Sequence, residues 1–264
     1  RRGFTPESIR LFSDRIGVAK ADSWIDYGVL EQALRDDLDS RASRATAVLN
    51  PLLLELSNWP EDRVEICEAP VLPRHPERGV REIPLTRQLW IEQEDFAIDP
   101  PKGFFRLYPG NRVRLRYGFV IECTGHELDQ DGNVLKITAE VMPDSKSGTP
   151  GADTYKVKGN IHWLPAAEKS GARRAEIRLY DRLFVEPQPG SGGADFLAAL
   201  NPASFTTTMA YVEGSAITDD TGLALQFERH GYFIQDATDH SEAQPVFNRT
   251  VTLKDSWGKQ AKKS

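Results

Sequence analysis

Residues 100–121 read PPKGFFRLYPGNRVRLRYGFVI. Lys102, Arg106, Arg112, Arg114 and Arg116 stand in this stretch without an acid among them, in a chain whose net charge is -6. From Arg112 the arginines alternate with Val113 and Leu115. Successive strand side chains point to opposite faces, so the alternation predicts three guanidinium groups along one face and an apolar face behind them. Pro109-Gly110-Asn111 is turn chemistry. Residues 104–108 and 112–121 are therefore expected to form a hairpin that brings Arg106 beside the arginine ladder. Phe104, Phe105, Tyr108, Tyr117 and Phe119 interleave the charges. Guanidinium forks for base edges or phosphates, next to aromatic faces on which unstacked bases can rest, describe a reader of single-stranded RNA. The same residues also fit a solvated strand face whose arginines pair with acids elsewhere in the chain.

The rest of the chain frames this stretch. At 264 residues, 39% of them hydrophobic, it can bury a core in one large domain or two smaller ones. It has no apolar run near the roughly 18 residues that span a bilayer and no charged-then-apolar leader, so a soluble protein without membrane contact is expected. Cys67 and Cys123 lie far apart and outside any CxxC or Cys/His spacing, which indicates neither a metal site nor a disulfide scaffold and fits a reducing, cytoplasmic compartment. The negative net charge speaks against general binding of DNA or other polyanions, because such affinity comes from many phosphate neutralisations. Any RNA contact must then be local. The first residue is Arg1, not Met, and it leads at once into a capped helix, as in a piece of a longer polypeptide.

Thr5-Pro6-Glu7 is a helix start, with a hydroxyl at the N-cap, proline in the first turn and an acid behind it. Ile9, Phe12 and Ile16 recur at helical spacing, and Gly17 stops the run. A second helix is expected from about Asp26, with Tyr27, Leu30, Leu34 and Leu38 on one face, fading by Ser43. Arg10, Arg15, Arg35 and Arg41 read as the solvated outer face of these helices. Beyond Ser43 the helical period gives way to short β-type runs separated by Pro, Gly, Asn and Asp, the mark of barrels or sandwiches. Strands are expected at 46–49, 52–56, 64–68, 88–91, 104–108, 112–123, 134–141, 156–162, 175–183, 205–212, 224–228, 232–235 and 246–253. Residues 194–200 break the pattern as a short helix, 70–81 and 143–153 read as polar loops, and 259–263 form a Lys-rich tail. The expected fold is mainly β: a helical subdomain at 1–42, a proximal barrel from 43–63 and 168–264, and a distal barrel at 64–167 inserted into it.

The search for catalytic signatures returns none: no GxSxG, HExxH, GxxxxGK[ST] or GxGxxG between strand and helix. Asp129-Gln130-Asp131-Gly132-Asn133 has its glycine at the wrong offset for a calcium loop and reads as a hairpin turn. The five histidines fall on different elements.

The segments RRGFTPESIRLF, RASRATAVLNP, RLYPGNRVRLRYGFVI, KVKGNIHWLPA, EIRLYDRLFVEPQPG, LQFERHGYF and PVFNRTVTLKDSW, in this order from Arg1 to Trp257, resemble the carboxy-terminal half of glutaminyl-tRNA synthetases of the bacterial type. The resemblance implies a helical subdomain followed by proximal and distal barrels that read the tRNA anticodon, in a monomer whose partner is tRNA(Gln). It implies that Arg44 and Gln226 read the central uridine, that Arg116, with Arg114 beside it, faces the first anticodon base, and that Arg106 holds the third-position guanine. Arginine offers paired donors to guanine O6 and N7, and glutamine both donor and acceptor to a pyrimidine. Arg1, Arg2, Lys102 and Arg112 are candidate contacts to the tRNA backbone. The chain departs from one member of that family at Phe105 and Gly103, where that member has a lysine and a glutamine, so first-base contacts that differ in detail are expected. The resemblance places ATP, Mg2+ and glutamine activation in an amino-terminal Rossmann half with HIGH-type and KMSKS-type signatures. Neither signature occurs in these 264 residues, so no catalytic residue, cofactor or metal is expected in them. Two other readings remain open: the same barrels in an archaeal or eukaryotic glutamyl-tRNA synthetase, and a stand-alone enzyme or non-catalytic interaction domain built on them.

Overall fold

The computed structural model describes residues 1–167 and 171–254; the Lys-rich tail at 259–263 and Trp257 lie outside the described residues. Two helices, α1 (Pro6–Ile16) and α2 (Tyr27–Arg41), open the chain. The strands then run β1 (Ser43–Ala45), β2 (Ala47–Val48), β3 (Pro51–Leu56), β4 (Glu65–Pro70), β5 (Val80–Leu85), β6 (Gln88–Glu92), β7 (Arg112–Leu115) and β8 (Val120–Leu128). They continue as β9 (Val134–Val141), β10 (Gly159–Ile161), β11 (Trp163–Pro165), β12 (Ala172–Tyr180), β13 (Phe205–Glu213), β14 (Ala224–Phe227), β15 (Gly231–Gln235) and β16 (Val246–Val251). The fold is mainly β, with two seven-stranded sheets that are nearly closed barrels and a separate β4–β5 ribbon. The chain divides into two compact units: Arg1–Arg44, Glu176–Thr208 and Thr218–Ser264 form the first, and Ala45–Ala175 with Met209–Ile217 the second.

In the first unit, α1 starts where its cap residues dictate. Thr5 Oγ1 accepts from the Ser8 amide at 3.1 Å, Pro6 sits in the first turn, and Gly17 ends the helix at φ 64°. The Asp26 carboxylate caps α2 through the Gly28 amide at 2.6 Å, and Leu34 and Leu38 pack fully buried with Ala42, Tyr232 and Val251. Two expectations fail here. Ile9 and Ile16 are exposed, so the α1 stripe does not enter the core, and Arg35 is buried, its Nε donating to the Thr252 carbonyl at 2.8 Å. The strand order is β1-β14-β15-β16-β12-β13. Residues 194–200 contain only a 3-10 turn at Phe196–Ala199 instead of a helix.

At the rim of this unit a fully buried carboxylate, Asp236, accepts from Arg1 Nε at 2.8 Å, Asn248 Nδ2 at 2.6 Å and the amides of Thr238 and Asp239 at 3.0 and 2.8 Å. Arg178 adds an ion pair at 3.3 Å. Burial alone would raise the Asp236 pKa, but the donors led by Arg1 and Asn248 outweigh it and hold the carboxyl far below the usual carboxylate range.

The second unit owes its closure to one run of chain. Its sheet has the order β10-β7-β8-β9-β3-β6-β11, and the terminal strands β10 and β11 are separated only by His162. β10 pairs parallel to β7, Gly159 opposite Val113, and β11 pairs antiparallel to β6, Trp163 opposite Ile91. One segment thus supplies the strand at each end of the sheet, which brings the sheet close to a closed barrel. The interior includes Leu54, Leu56, Leu89, Ile91, Leu115, Ile121, Ile137 and Trp163, together with the free thiols Cys67 and Cys123. Burial pushes the Cys67 thiol up to about 11, which suits a packing role.

The expected hairpin is replaced by a different one. Residues 104–108 contain no strand, only a bridge from Leu107 to Phe96, and 112–123 is two strands, β7 and β8, that pair with each other. The turn between them places Arg116 beyond the end of β7, so the ladder holds Arg112 and Arg114 alone. Alternation identified a strand but could not show where it would fold back. Two polar segments also prove structured. The 70–81 segment carries a 3-10 turn at Pro76–Arg78, and its last two residues open β5, which pairs from Val80 opposite Pro70 to Leu85 opposite Glu65. The 143–153 segment carries 3-10 turns at Pro143–Ser145 and Ala152–Thr154. The Asp129 hairpin turn forms as expected, its carboxylate accepting from the amides of Asp131 and Asn133 at 2.9 and 2.8 Å.

A buried ion pair ties β5 to the end of β13: Arg81 Nη1 donates to Glu213 Oε2, and both side chains are almost wholly enclosed. Glu213 also accepts from the Thr46 amide at 2.9 Å and the Ser215 hydroxyl at 2.7 Å. Removing one partner strands a buried charge, so Glu213→Ala is expected to cost about 3–5 kcal/mol in urea denaturation. Replacing both residues by apolar ones of similar volume is expected to cost much less. Asp236 supplies a pH test. Its folded pKa is depressed, so its contribution is complete above the unfolded value of about 3.9 and is lost as pH falls through the folded value. Asp236→Asn is expected to lower the melting temperature at pH 7 and to flatten the fall in stability below about pH 4.

Candidate nucleic-acid interface

In the second unit, residues 100–112 and 154–159 enclose a cavity of about 710 Å³. Its wall carries Lys102, Arg112, Lys156 and Lys158 beside Phe104, Phe105, Tyr108 and Tyr155, and no acid. Three local features build it. Asn111 staples the loop, its Oδ1 accepting from the Tyr108 amide at 2.7 Å and its Nδ2 donating to the Arg106 carbonyl at 2.8 Å. Gly103 and Gly110 turn the chain at φ 89° and 82°. Gly159 lets β10 approach so closely that a Cβ there would lie 2.5 Å from the Phe105 carbonyl oxygen. Lys158 Nζ stands 5.2 Å from the Phe105 ring and the Arg112 guanidinium 5.8 Å from the Tyr155 ring. Arg112 also pairs with Glu122 at 2.6 Å. Phe105 is 55% exposed. An acid-free wall of ammonium, guanidinium and aromatic groups can neutralise a phosphate and stack a base at once. Lys102 and Arg112 were identified from sequence; Tyr155, Lys156 and Lys158 were missed, because the segment leading into β10 reaches this wall only through the parallel β10–β7 pairing.

The other three arginines of 106–116 each have a different environment. Arg106 Nε contacts the fully buried Asp95 carboxylate at 3.1 Å and Nη1 donates to the Glu94 carbonyl at 3.0 Å, leaving the side chain 38% exposed. Arg114 is spent on the main chain: it donates to the carbonyls of Ser145 at 2.7 Å, Ala152 at 2.6 Å and Gly118 at 3.2 Å. Its guanidinium therefore organises the 143–154 segment, a role that spacing alone did not reveal. Arg116 has its amide on the Ile161 carbonyl at 2.9 Å and its carbonyl on Trp163 Nε1 at 2.9 Å, while its Nη2 donates to the Tyr117 hydroxyl at 3.0 Å.

In the first unit, Arg44 on β1 and Gln226 on β14 stand on neighbouring strands. Arg44 pairs with Asp39 at 3.0 Å, and Tyr232, opposite Gln226 in the β14–β15 register, donates to the same carboxylate at 3.3 Å. Burial, reinforced by Asp39, raises the Tyr232 pKa and keeps it a hydroxyl donor. Arg1 is held by Asp236 and by Asp239 at 2.5 Å, and Arg2 donates to the Thr250 carbonyl at 3.1 Å over the rings of Phe4 and Tyr180. Both are anchored within the unit, and a phosphate would have to compete with those partners.

Among the described residues, no helix is long and apolar enough to cross a membrane. Residues 42–142 match the family described as tRNA synthetases class I (E and Q), anti-codon binding domain, and residues 160–236 match a second family of the same description. The chain is 61% identical over 259 residues to a glutamine–tRNA ligase of Ralstonia nicotianae, covering 98% of this chain and 44% of that protein. It is 60% identical to one of Cupriavidus metallidurans with the same coverage, and 57% identical over 263 residues to one of Polynucleobacter asymbioticus. It thus spans less than half the length of these curated relatives. Together, the cation-and-aromatic cavity and these matches place the chain: it belongs to the anticodon-binding domain family of the class I tRNA synthetases for glutamate and glutamine.

Proposed function

We propose that the chain acts as the anticodon-binding region of a glutamine–tRNA ligase, with tRNA(Gln) as partner, in a cytoplasmic monomer. The acid-free cavity at 100–112 and 154–159 is the observation that carries this reading, because it concentrates cations and stacking faces in a chain of net charge -6. Binding is local and directional. Lys156 and Lys158 neutralise backbone phosphates, Phe105 and Tyr155 stack an unpaired base, and Arg106 supplies donors to a guanine edge. Arg44 and Gln226 read a uridine from the first unit. Lys102 and Arg112 extend the backbone contacts; Arg114 supports the site by holding the 143–154 segment.

On this reading ATP and Mg2+ serve the part of the relatives' length that the chain does not span, and glutamine is joined to the tRNA 3′ end there. The names of the curated relatives favour glutamine over glutamate as the amino acid. The two amino acids correspond to different third anticodon bases, and the protein is expected to prefer guanine over cytosine at that position.

Binding to anticodon stem-loops altered at each position tests the assignment. Arg106→Ala is expected to cost about 1–3 kcal/mol and to relax discrimination at the third anticodon base alone. Lys156→Ala and Lys158→Ala are expected to weaken all stem-loops alike and each to reduce the slope of log K against log salt by about 0.7–1. Equal affinity of the unaltered protein for every anticodon would refute the function.

A further inference from the structure

Tyr117 occupies a position that sterics reserve for other residues. Gly118 donates to the Leu115 carbonyl at 2.8 Å, which closes a turn of residues 115–118 with Tyr117 third in it, at φ 64°. Glycine or asparagine is the usual occupant there, and a bulky side chain at positive φ persists only where its surroundings compensate. The ring packs against the hydrophobic interior of the unit and meets two guanidinium groups. The Arg116 guanidinium lies 4.8 Å from the ring centroid and donates to the hydroxyl at 3.0 Å; the Arg81 guanidinium lies 5.6 Å from the same ring. Arg81 cannot drift, because it is enclosed and neutralised by Glu213. The ring also borders a cavity of about 700 Å³ lined by Glu65, Glu68, Lys146 and Thr149.

The main chain of Arg116 is fixed by Ile161 and Trp163, and its guanidinium meets the ring and hydroxyl of the residue that follows it. We propose that Tyr117 is a positioning residue: backed by the Arg81–Glu213 pair, its ring and hydroxyl hold the Arg116 guanidinium in the orientation with which it selects one anticodon base. The strained turn is retained for selectivity, not for affinity. This proposal rests on the anticodon-binding function above.

Tyr117→Asn removes the ring and suits the positive φ, so the turn survives. Tyr117→Phe keeps the ring and drops the hydroxyl. Two readouts are needed. In the protein without RNA, the Arg116 Nε–H resonance, shifted by the ring current, is expected to move in Tyr117→Asn. With stem-loops, Arg116→Ala identifies the base that Arg116 selects. Tyr117→Asn is expected to lose roughly tenfold in discrimination at that same base, with the other two positions unaffected. Tyr117→Phe is expected to retain most of it, and Tyr117→Asn is expected to add nothing in the Arg116→Ala background. Discrimination preserved in Tyr117→Asn, a uniform loss for all stem-loops, or additive effects of the two substitutions would overturn the proposal. If Arg116→Ala leaves every position unchanged, the anticodon reading of Arg116 falls, and the RNA-free resonance decides the positioning: displaced in Tyr117→Asn it stands, unmoved it falls.

Discussion

The close approach of β10 to β7 at Gly159 governs the second unit. Any side chain there would collide with the Phe105 carbonyl and with Val113, whose Cγ1 lies 2.6 Å from the position of a Cβ. Once that contact is made, the same run of chain brings Lys156 and Lys158 to the cavity wall, gives Arg116 its Ile161 partner and, past His162, turns Trp163 against Ile91 to close the sheet. A single glycine thereby couples barrel closure to the shape of the candidate RNA site.

The arginines divide between architecture and surface. Arg81 and Arg35 are enclosed and Arg114 is half-buried, each matched to a carboxylate or to main-chain carbonyls. Arg106 and Arg112 keep partners but remain substantially exposed. The exposed Arg112–Glu122 pair is worth little in water and is readily exchanged for a phosphate, whereas Arg106 must stay on the buried Asp95 and can offer a base only its exposed edge. The negative net charge and a locally basic cavity are therefore compatible: acids elsewhere keep the chain from general polyanion binding while this wall stays free of them.

Much of the frame was legible because local chemistry fixes it. Thr5-Pro6-Glu7 and Gly17 bound α1, Asp26 caps α2, Asp129 organises its hairpin, and the alternation at 134–141 coincides with β9. What stayed hidden depends on partners distant in sequence. The chain at 104–108 has strand composition but is used as a wall, since its neighbour is Gly159 and not β7. β5 starts at the end of the polar 70–81 segment and contains Pro84, so it does not signal a strand until β4 pairs with it. Arg114 and Arg116 share one sequence pattern, yet the turn at Tyr117 sends one into the 143–154 segment and the other to an aromatic ring. Tyr155 and the two lysines after it carried no motif and gained meaning only from the cavity.

Hydrogen–deuterium exchange of the protein with and without an anticodon stem-loop of tRNA(Gln) tests the central claim most directly. The account predicts slowed exchange at residues 100–112 and 154–159, and smaller or no protection with a stem-loop whose three anticodon bases are replaced. Protection absent from both segments, or identical for the two RNAs, would contradict it.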